Sequence, residues 1–227
     1  MQTIDGVVAI PDIERSNAIV ADESDADRFL MGLLRASADV VLLGSKTMLA
    51  SPQGTWRPER AFPAAAAAFA ELRRLRGRPE RPAVAIITSG ESLDPAHPIL
   101  AEGAIVLTTA DAAPGLHEKV PEATEIVAVS DGDRVDVGLA LAALRDRGHA
   151  VVLSEAGPTV CGQLLAARLV DELFLTISPL VAGRVHTTER PGFAEGVELL
   201  PDMRVEGALL SLRRSEHHLF LRYELAT

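Results

Sequence analysis

Five short apolar runs, each closed by a small or polar residue, constrain this chain more than any other feature. They are "DVVLLGS" (39–45), "AVAIITSG" (83–90), "AIVLTT" (104–109), "EIVAVS" (125–130) and "AVVLSEAG" (150–157). In the first three, apolar side chains follow one another without a gap, so neither strand face is left for water. Such strands belong inside a sheet covered on both sides. Segments of helical spacing stand between the runs. In "ADRFLMGLLRA" (26–36), Phe29, Leu30, Leu33 and Leu34 share a face, and Ser24 followed by Asp27 resembles a capping box. "PAAAAAFAELRRLRG" (63–77) starts on proline and stops on glycine, the order a helix prefers. "VGLALAALRDRG" (137–148) is amphipathic with a glycine stop, and "PTVCGQLLAARL" (158–169) carries its proline in the first turn. Strands alternating with helices predict a parallel sheet with helices on its faces.

Four further segments complete the reading. "IDGVVAI" near the N-terminus is strand-like, and "SKTMLAS" reads as a short helix. "VDELFLTISPLVAG" (170–183) reads as one long strand, and 204–225 as two strands around "RRSEH". The predicted fold is α/β in three layers. It has a mixed, mostly parallel sheet of about eight strands flanked by helices, closed by a C-terminal antiparallel hairpin. Residues 1–227 read as a single domain with an irregular excursion over 184–203. The core is drawn from 48% apolar residues but only 4% aromatic ones, so Val, Leu, Ile and Ala must fill it.

Composition also removes function classes. A net charge of −10 repels a phosphate backbone, so no nucleic-acid partner is expected. The one cysteine, Cys161, permits neither an internal disulfide nor a cysteine zinc site, and its place inside a helix reads as packing. His217 and His218 are neighbours on a strand and face opposite sides, so no shared metal is expected. No run approaches the ~18–20 apolar residues of a membrane span. The first twelve residues lack the basic start and apolar centre of a secretory leader, so a cytoplasmic setting is expected. Neither G-x-G-x-x-G nor G-x-x-x-x-G-K-[ST] occurs. Nor do H-x-E and P-C-x-x-C, which excludes zinc-dependent base deamination by this chain.

Three strand ends carry chemistry. "LLGSKT" offers Gly44, Ser45, Lys46 and Thr47; "ITSG" offers Thr88 and Ser89; "SEAGPT" offers Glu155, Gly157, Pro158 and Thr159. In open α/β sheets ligands lie beyond the carboxyl ends of strands. Free backbone N–H groups at a helix start favour an anion there. Three such ends on one edge suit a dinucleotide, with Lys46 as a cation and the Ser89 hydroxyl toward a ribose or its 2′-phosphate. Each end taken alone is also ordinary strand punctuation.

At this point the residues resemble a family. "SEAGPTVCGQLLAARLVDELFLTISPLVAG" is similar to the signature of the riboflavin-biosynthesis pyrimidine reductase domain, which has the dihydrofolate-reductase-like fold. "TIDGVVA" resembles that family's first strand, and "ADVVLLGSKTM" its second strand and phosphate-binding turn. The resemblance implies NADPH as reductant and a homodimer. It implies Gly44, Ser45, Lys46 and Thr47 at the cofactor's phosphates and Thr88 and Ser89 at its adenosine end. Gly157, Pro158 and Thr159 are implied at the pyrophosphate and nicotinamide side. It implies that Thr3, Asp5 and Glu155 face a ribosylamino-pyrimidine phosphate whose sugar is reduced by hydride transfer to C1′. Glu155 is the candidate to hold the amine or relay a proton, with a helix-start acid as the alternative. Asp5 is a second catalytic candidate, with a turn before Gly6 as the alternative. A phosphorylated sugar needs a cation, and Arg57 in "LASPQGTWRPER" is the candidate, since guanidinium pairs bidentately with phosphate. That loop departs from the family's usual "A-D-[DN]-P-x-L-x-x-R": its acidic pair is replaced by Ser51 and Gln53. Two alternatives stay open. Asp25 and Asp27 at a helix start fit a cap but also a dihydropterin reductase. The altered loop also fits a nucleotide-binding protein without catalysis.

Overall fold

The computed structural model describes residues 1–11, 13, 16–185 and 189–226. In chain order the elements begin with α1 (Ser16–Val20), α2 (Asp25–Ser37), β1 (Val40–Gly44), α3 (Ser45–Leu49), α4 (Pro58–Ala61) and α5 (Ala66–Leu75). There follow β2 (Ala83–Ile87), α6 (Pro98–Ala101), β3 (Ile105–Thr109), α7 (Ala113–His117), β4 (Glu125–Ser130) and α8 (Val137–Asp146). β5 (Val152–Ser154), α9 (Pro158–Ala166), β6 (Glu172–Ile177), β7 (Gly207–Ser215) and β8 (His218–Leu225) complete the chain. The backbone forms two compact units, Arg28–Gly157 and the combination of Met1–Asp27 with Pro158–Thr227.

The unit Arg28–Gly157 holds a five-stranded sheet of order β4-β3-β2-β1-β5, parallel throughout. β1 and β3 are buried at every position, as apolar runs without a polar face require. Val41, Leu43, Val84, Ile86 and Val106 pack with Met48, Trp56, Ile99 and Leu100 into one cluster. Against α5, the helix α2 brings Gly32 so close to Phe69 that a Cβ there would lie 2.6 Å from the ring. Phe29 meets Phe62 edge-on at 5.6 Å.

In the other unit β6, β8 and β7 form an antiparallel sheet in that order. Among the described residues eight strands therefore form, divided between two sheets. The pattern explains the division: β1 and β3 are apolar at successive positions, whereas β6 and β8 alternate. Alternation suits an antiparallel sheet with two unlike faces. The Ser24 hydroxyl accepts from Asp27 N–H at 3.3 Å, the start anticipated for α2. Two expectations are revised. The long strand over 170–183 stops at Ile177, because Pro179 has no N–H and the Ala182 and Gly183 N–H groups donate to Asp5 instead. The strand-like run near the N-terminus forms no strand among the described residues: the isolated bridge of Gln2 with Ile177 lies just before it, and the chain turns at once, with Gly6 N–H donating to Thr3 O and Gly6 at φ 80°. Within the 184–203 excursion, residues 186–188 lie outside the described residues.

Candidate functional site

Within Arg28–Gly157 the chain lays down β1, β2, β3 and β4 in one direction, then returns to place β5 on the other side of β1. The strand order reverses between β1 and β5. In open α/β sheets the crevice beyond the carboxyl ends at such a point receives the ligand. The two ends brought together there are two of the three singled out in the sequence. Glu155 N–H donates to Leu42 O at 2.9 Å, which fixes Glu155 beside the end of β1. A Cβ built on Gly157 would meet only the Thr47 hydroxyl, at 3.5 Å. The space beside the Gly157 backbone is thus open, with the Thr47 hydroxyl at its edge. Gly44 is extended (φ −93°, ψ 151°) and precedes α3 without any side-chain cap. Ser45 is buried and its hydroxyl lies 2.7 Å from that of Ser92, while Lys46 is exposed. Backbone donors, a hydroxyl, a lysine and an uncovered glycine are what a pyrophosphate requires, so these residues fit a dinucleotide.

The Glu155 carboxylate is gripped from one side. Arg35, in the last turn of α2, donates from Nε to Oε1 and from Nη2 to Oε2, both at 2.7 Å. The two side chains are 15% and 12% exposed, so this fork is a largely sheltered bidentate pair rather than a solvated one. It fixes the carboxylate plane and leaves the outer lone pairs as acceptors. The end of α2 is itself anchored. Arg73 of α5, 1% exposed, donates from Nη1 to the carbonyls of Arg35 (3.3 Å), Ala36 (3.3 Å) and Ala38 (2.7 Å), and from Nε to Pro79 O (2.7 Å). Burial pulls the Arg73 guanidinium below its ordinary pKa, with Arg78 adding repulsion. Sequence reasoning missed both arginines. Arg35 and Glu155 are 120 residues apart, and no local motif announces such a pair.

The third strand end forms the lip of a groove. Thr88 is buried, and its hydroxyl accepts from Gly90 N–H at 3.0 Å, a local turn made possible by Gly90 at φ 102°. Ser89 is thereby turned outward, exposed. It lines a depression of about 570 Å³ with Glu91, Thr109, Asp111, Asp133 and Arg134. Three carboxylates against one guanidinium make this groove acidic.

The loop around Arg57 is more ordered than its sequence suggests. Trp56, 5% exposed and at φ 48°, is a core residue. His97 lies near it, ring centroids 5.9 Å apart, and caps α6: its Nδ1 accepts from Ile99 N–H at 3.2 Å, and Nε2 lies 3.0 Å from Ser51 O. Accepting at Nδ1 puts the proton on Nε2, which donates to Ser51. Arg57 pairs through Nη2 with Glu102. A phosphate at Arg57 would compete with that carboxylate for the guanidinium.

In the unit of both chain ends, Thr3 and Asp5 are tied to each other. The buried Thr3 hydroxyl donates to Asp5 Oδ1 at 2.6 Å and accepts from Val7 N–H at 3.0 Å. Asp5 also accepts from Ala182 N–H (3.0 Å) and Gly183 N–H (2.8 Å). The Thr3 hydroxyl first, then these backbone donors, hold its pKa down to about 2. Asp5 is therefore a carboxylate at neutral pH and organises a turn. Pro158 opens α9, and Thr159 is exposed in its first turn. Burial pushes the Cys161 thiol up to about 11, so it is no nucleophile. His218 is buried, with Nε2 3.0 Å from Ala21 O, while His217 is exposed. Asp27 is buried at the start of α2. Among the described residues no group of three or more His, Cys, Asp or Glu gathers to hold a metal, and no helix is long and apolar enough to cross a membrane.

The family model described as the RibD C-terminal domain matches residues 1–209. No curated protein matches the sequence. Among solved structures, a pyrimidine reductase-like protein from Corynebacterium diphtheriae is similar over 100% of this chain and 89% of its own, at 21% identity and a TM-score of 0.76. A diaminohydroxyphosphoribosylaminopyrimidine deaminase/5-amino-6-(5-phosphoribosylamino)uracil reductase from Thermotoga maritima is similar over 99% of this chain, at 20% identity and a TM-score of 0.68. This chain spans about half of that protein, 54%. The riboflavin biosynthesis reductase Rib7 of Saccharomyces cerevisiae is similar over 99% of this chain and 86% of its own, at 17% identity and a TM-score of 0.62. At these identities the structural likeness establishes the fold.

Proposed function

Because the chain belongs to the RibD C-terminal domain family, we propose that it is an NADPH-dependent reductase of a ribosylamino-pyrimidine phosphate. The observation that carries this reading is the crevice at the strand-order reversal, where the backbone of Gly157 lies open beside Thr47 and Arg35 presents Glu155. Residues 1–227 are taken as one reductase domain, acting in the cytoplasm as a homodimer.

In this reading Gly44, Ser45, Lys46 and Thr47 hold the phosphates of the dinucleotide, with Gly157, Pro158 and Thr159 at its pyrophosphate and nicotinamide side. Thr88 and Ser89 serve the adenosine end. When bound, the cofactor would supply the hydride that adds to C1′ of the ring-opened sugar in its N-protonated imine form; the C=N π pair goes to nitrogen, whose proton comes from solvent, and the ribityl amine results. The protein supplies geometry. Glu155, fixed by Arg35, offers acceptor lone pairs to the N–H of the substrate amine and holds C1′ in line. Arg57 exchanges Glu102 for the substrate phosphate, a gain because the phosphate brings more charge and a matching fork. Thr3 and Asp5 act on the substrate side. Asp5 does so as a carboxylate, an acceptor rather than a proton donor, given its pKa of about 2.

One observation favours a second reading of the cofactor. Glu91, Asp111 and Asp133 around Ser89 repel a 2′-phosphate and accept from a free ribose diol, which favours NADH. The test measures oxidation of NADPH and of NADH with the phosphorylated ribosylamino-pyrimidine, and separately with dihydrofolate. Turnover of the pyrimidine with NADPH preferred supports the first reading, and a preference for NADH supports the second. Turnover of dihydrofolate alone moves the substrate to the pterins. Tight dinucleotide binding without any turnover leaves a binding protein. Absence of dinucleotide binding sinks the cofactor assignment altogether.

A further inference from the structure

The loop that presents Arg57 is held at both ends of one short helix. It runs over 51–57, and α6 spans Pro98–Ala101. At the start of α6 the His97 ring grips the loop: Nε2–H donates to Ser51 O at 3.0 Å, while Nδ1 accepts from Ile99 N–H at 3.2 Å. At the other end Glu102, the residue that closes α6, pairs with Arg57. Between them the Trp56 indole lies near the imidazole, in the cluster that holds Ile99 and Leu100. Ser51 O also accepts from Gly54 N–H at 2.7 Å, so the carbonyl that His97 holds is the one that closes the turn of the loop. Gly54 makes room for the indole, since a Cβ there would lie 2.6 Å from Trp56 Cη2. Trp56 itself sits at φ 48°, a conformation that a bulky residue keeps only where its surroundings hold it. Arg57 follows directly. The direction of its guanidinium is thus set by contacts made by its neighbours in the loop.

We propose that His97 is a positioning residue for the substrate's phosphate: by holding Ser51 O it fixes the strained loop that aims Arg57. The inference rests on the reading that Arg57 takes the phosphate, and it adds the group that keeps the guanidinium ready. The choice of residue argues against a plain helix cap. A cap needs one acceptor, which a small Asn, Asp or Ser supplies. A histidine 2% exposed has two ring nitrogens to satisfy, and the second is used on the loop. A guanidinium that must first be ordered binds its ligand more weakly by the cost of that ordering.

The experiment separates the two nitrogens. In His97→Asn the amide oxygen stands about where Nδ1 stood and caps α6, but the side chain ends there and leaves Ser51 unheld. In His97→Gln the amide nitrogen stands about where Nε2 stood and can donate to Ser51 O, but the cap is poor. Steady-state rates with the phosphorylated ribosylamino-pyrimidine, calorimetric binding of ribose 5-phosphate and thermal midpoints are measured on the full chain. His97→Asn is expected to keep its midpoint and its kcat, and to raise KM and the ribose 5-phosphate Kd about fivefold or more. His97→Gln is expected to do the reverse, with a lower midpoint and wild-type KM and Kd. In an Arg57→Met background, His97→Asn should weaken neither further, as two residues acting as a unit require. Equal losses in the Asn and Gln variants, or losses that follow the midpoint, overturn the proposal. So does a ribose 5-phosphate affinity that Arg57→Met leaves unchanged. A wild type that turns over no pyrimidine sinks the reductase reading by itself, and ribose 5-phosphate binding weakened by Asn but not by Gln then still upholds the role of His97.

Discussion

Replacing Arg73 by methionine isolates the contribution of one buried guanidinium. The stem keeps its volume and only the donors go. Two of the four bonds, to Pro79 O and Ala38 O, are short at 2.7 Å, and two, to Arg35 O and Ala36 O, are longer at 3.3 Å. Hydrogen bonds to a charged group contribute about 1.5–3 kcal/mol each, so the two short ones alone set a scale of roughly 3–6 kcal/mol. An opposing effect exists, because methionine removes a buried charge, and swapping a whole buried ion pair for apolar groups is often neutral. Here only the donor is replaced. The Arg35 carbonyl keeps the Ala38 N–H at 3.3 Å, but the Ala36 and Ala38 carbonyls lose the donor that Arg73 gave them, and that is the costly case. The expected loss is about 3–4 kcal/mol, or roughly 10 °C in thermal midpoint for a chain of this size. Arg73→Lys, whose ammonium cannot fork across the helix end, should fall between the two. Urea unfolding with an unchanged slope is the assay. If the methionine variant lies within about 1 kcal/mol of the wild type, or lysine equals arginine, the helix-end account is wrong.

Three further outcomes are expected. Arg35→Met should lower turnover with little change in dinucleotide affinity, as should Glu155→Gln, and combining them should add almost nothing if the two act as a unit; additive losses would separate them. Asp5→Asn should destabilise the chain at pH 6–7. Since the Asp5 pKa is lowered from 3.8 to about 2, its contribution is complete above pH 4 and lost as pH falls toward 2, so the two melting curves should converge there. A gap that persists at pH 2 would refute the assignment. Gly162→Ala gains about 1 kcal/mol of helix propensity. Its Cβ, however, would lie 2.7 Å from Glu195 O and 2.9 Å from Val197 Cγ2, and crowding of that kind costs about 1–3 kcal/mol. Backbone cannot yield as a side chain does, so a net loss is expected, and a stabilised variant in a thermal melt would show that the neighbouring segment moves.

The strands of the parallel sheet and the longer helices were legible in the chain because their signals are local. Uninterrupted Val, Leu and Ile between small residues permits little but a covered strand, and Ser24 or the glycine stops act within a turn of the helices they bound. The glycine-ended turns after β1, β2 and β5 were legible for the same reason, and so was the family pattern they carry. The hold of Arg35 on Glu155, the Arg73 anchor beneath it and the capture of Arg57 by Glu102 were not, since each joins residues 35 to 120 positions apart. The two-sheet division was not either, because alternation shows that a strand has two unlike faces but not which partner it takes. Sequence alone thus determined which segments form the parallel sheet and where small residues end them. Tertiary structure decided which charges meet and which polar groups are buried, because electrostatic partners and burial depend on distances in space that spacing along the chain does not encode.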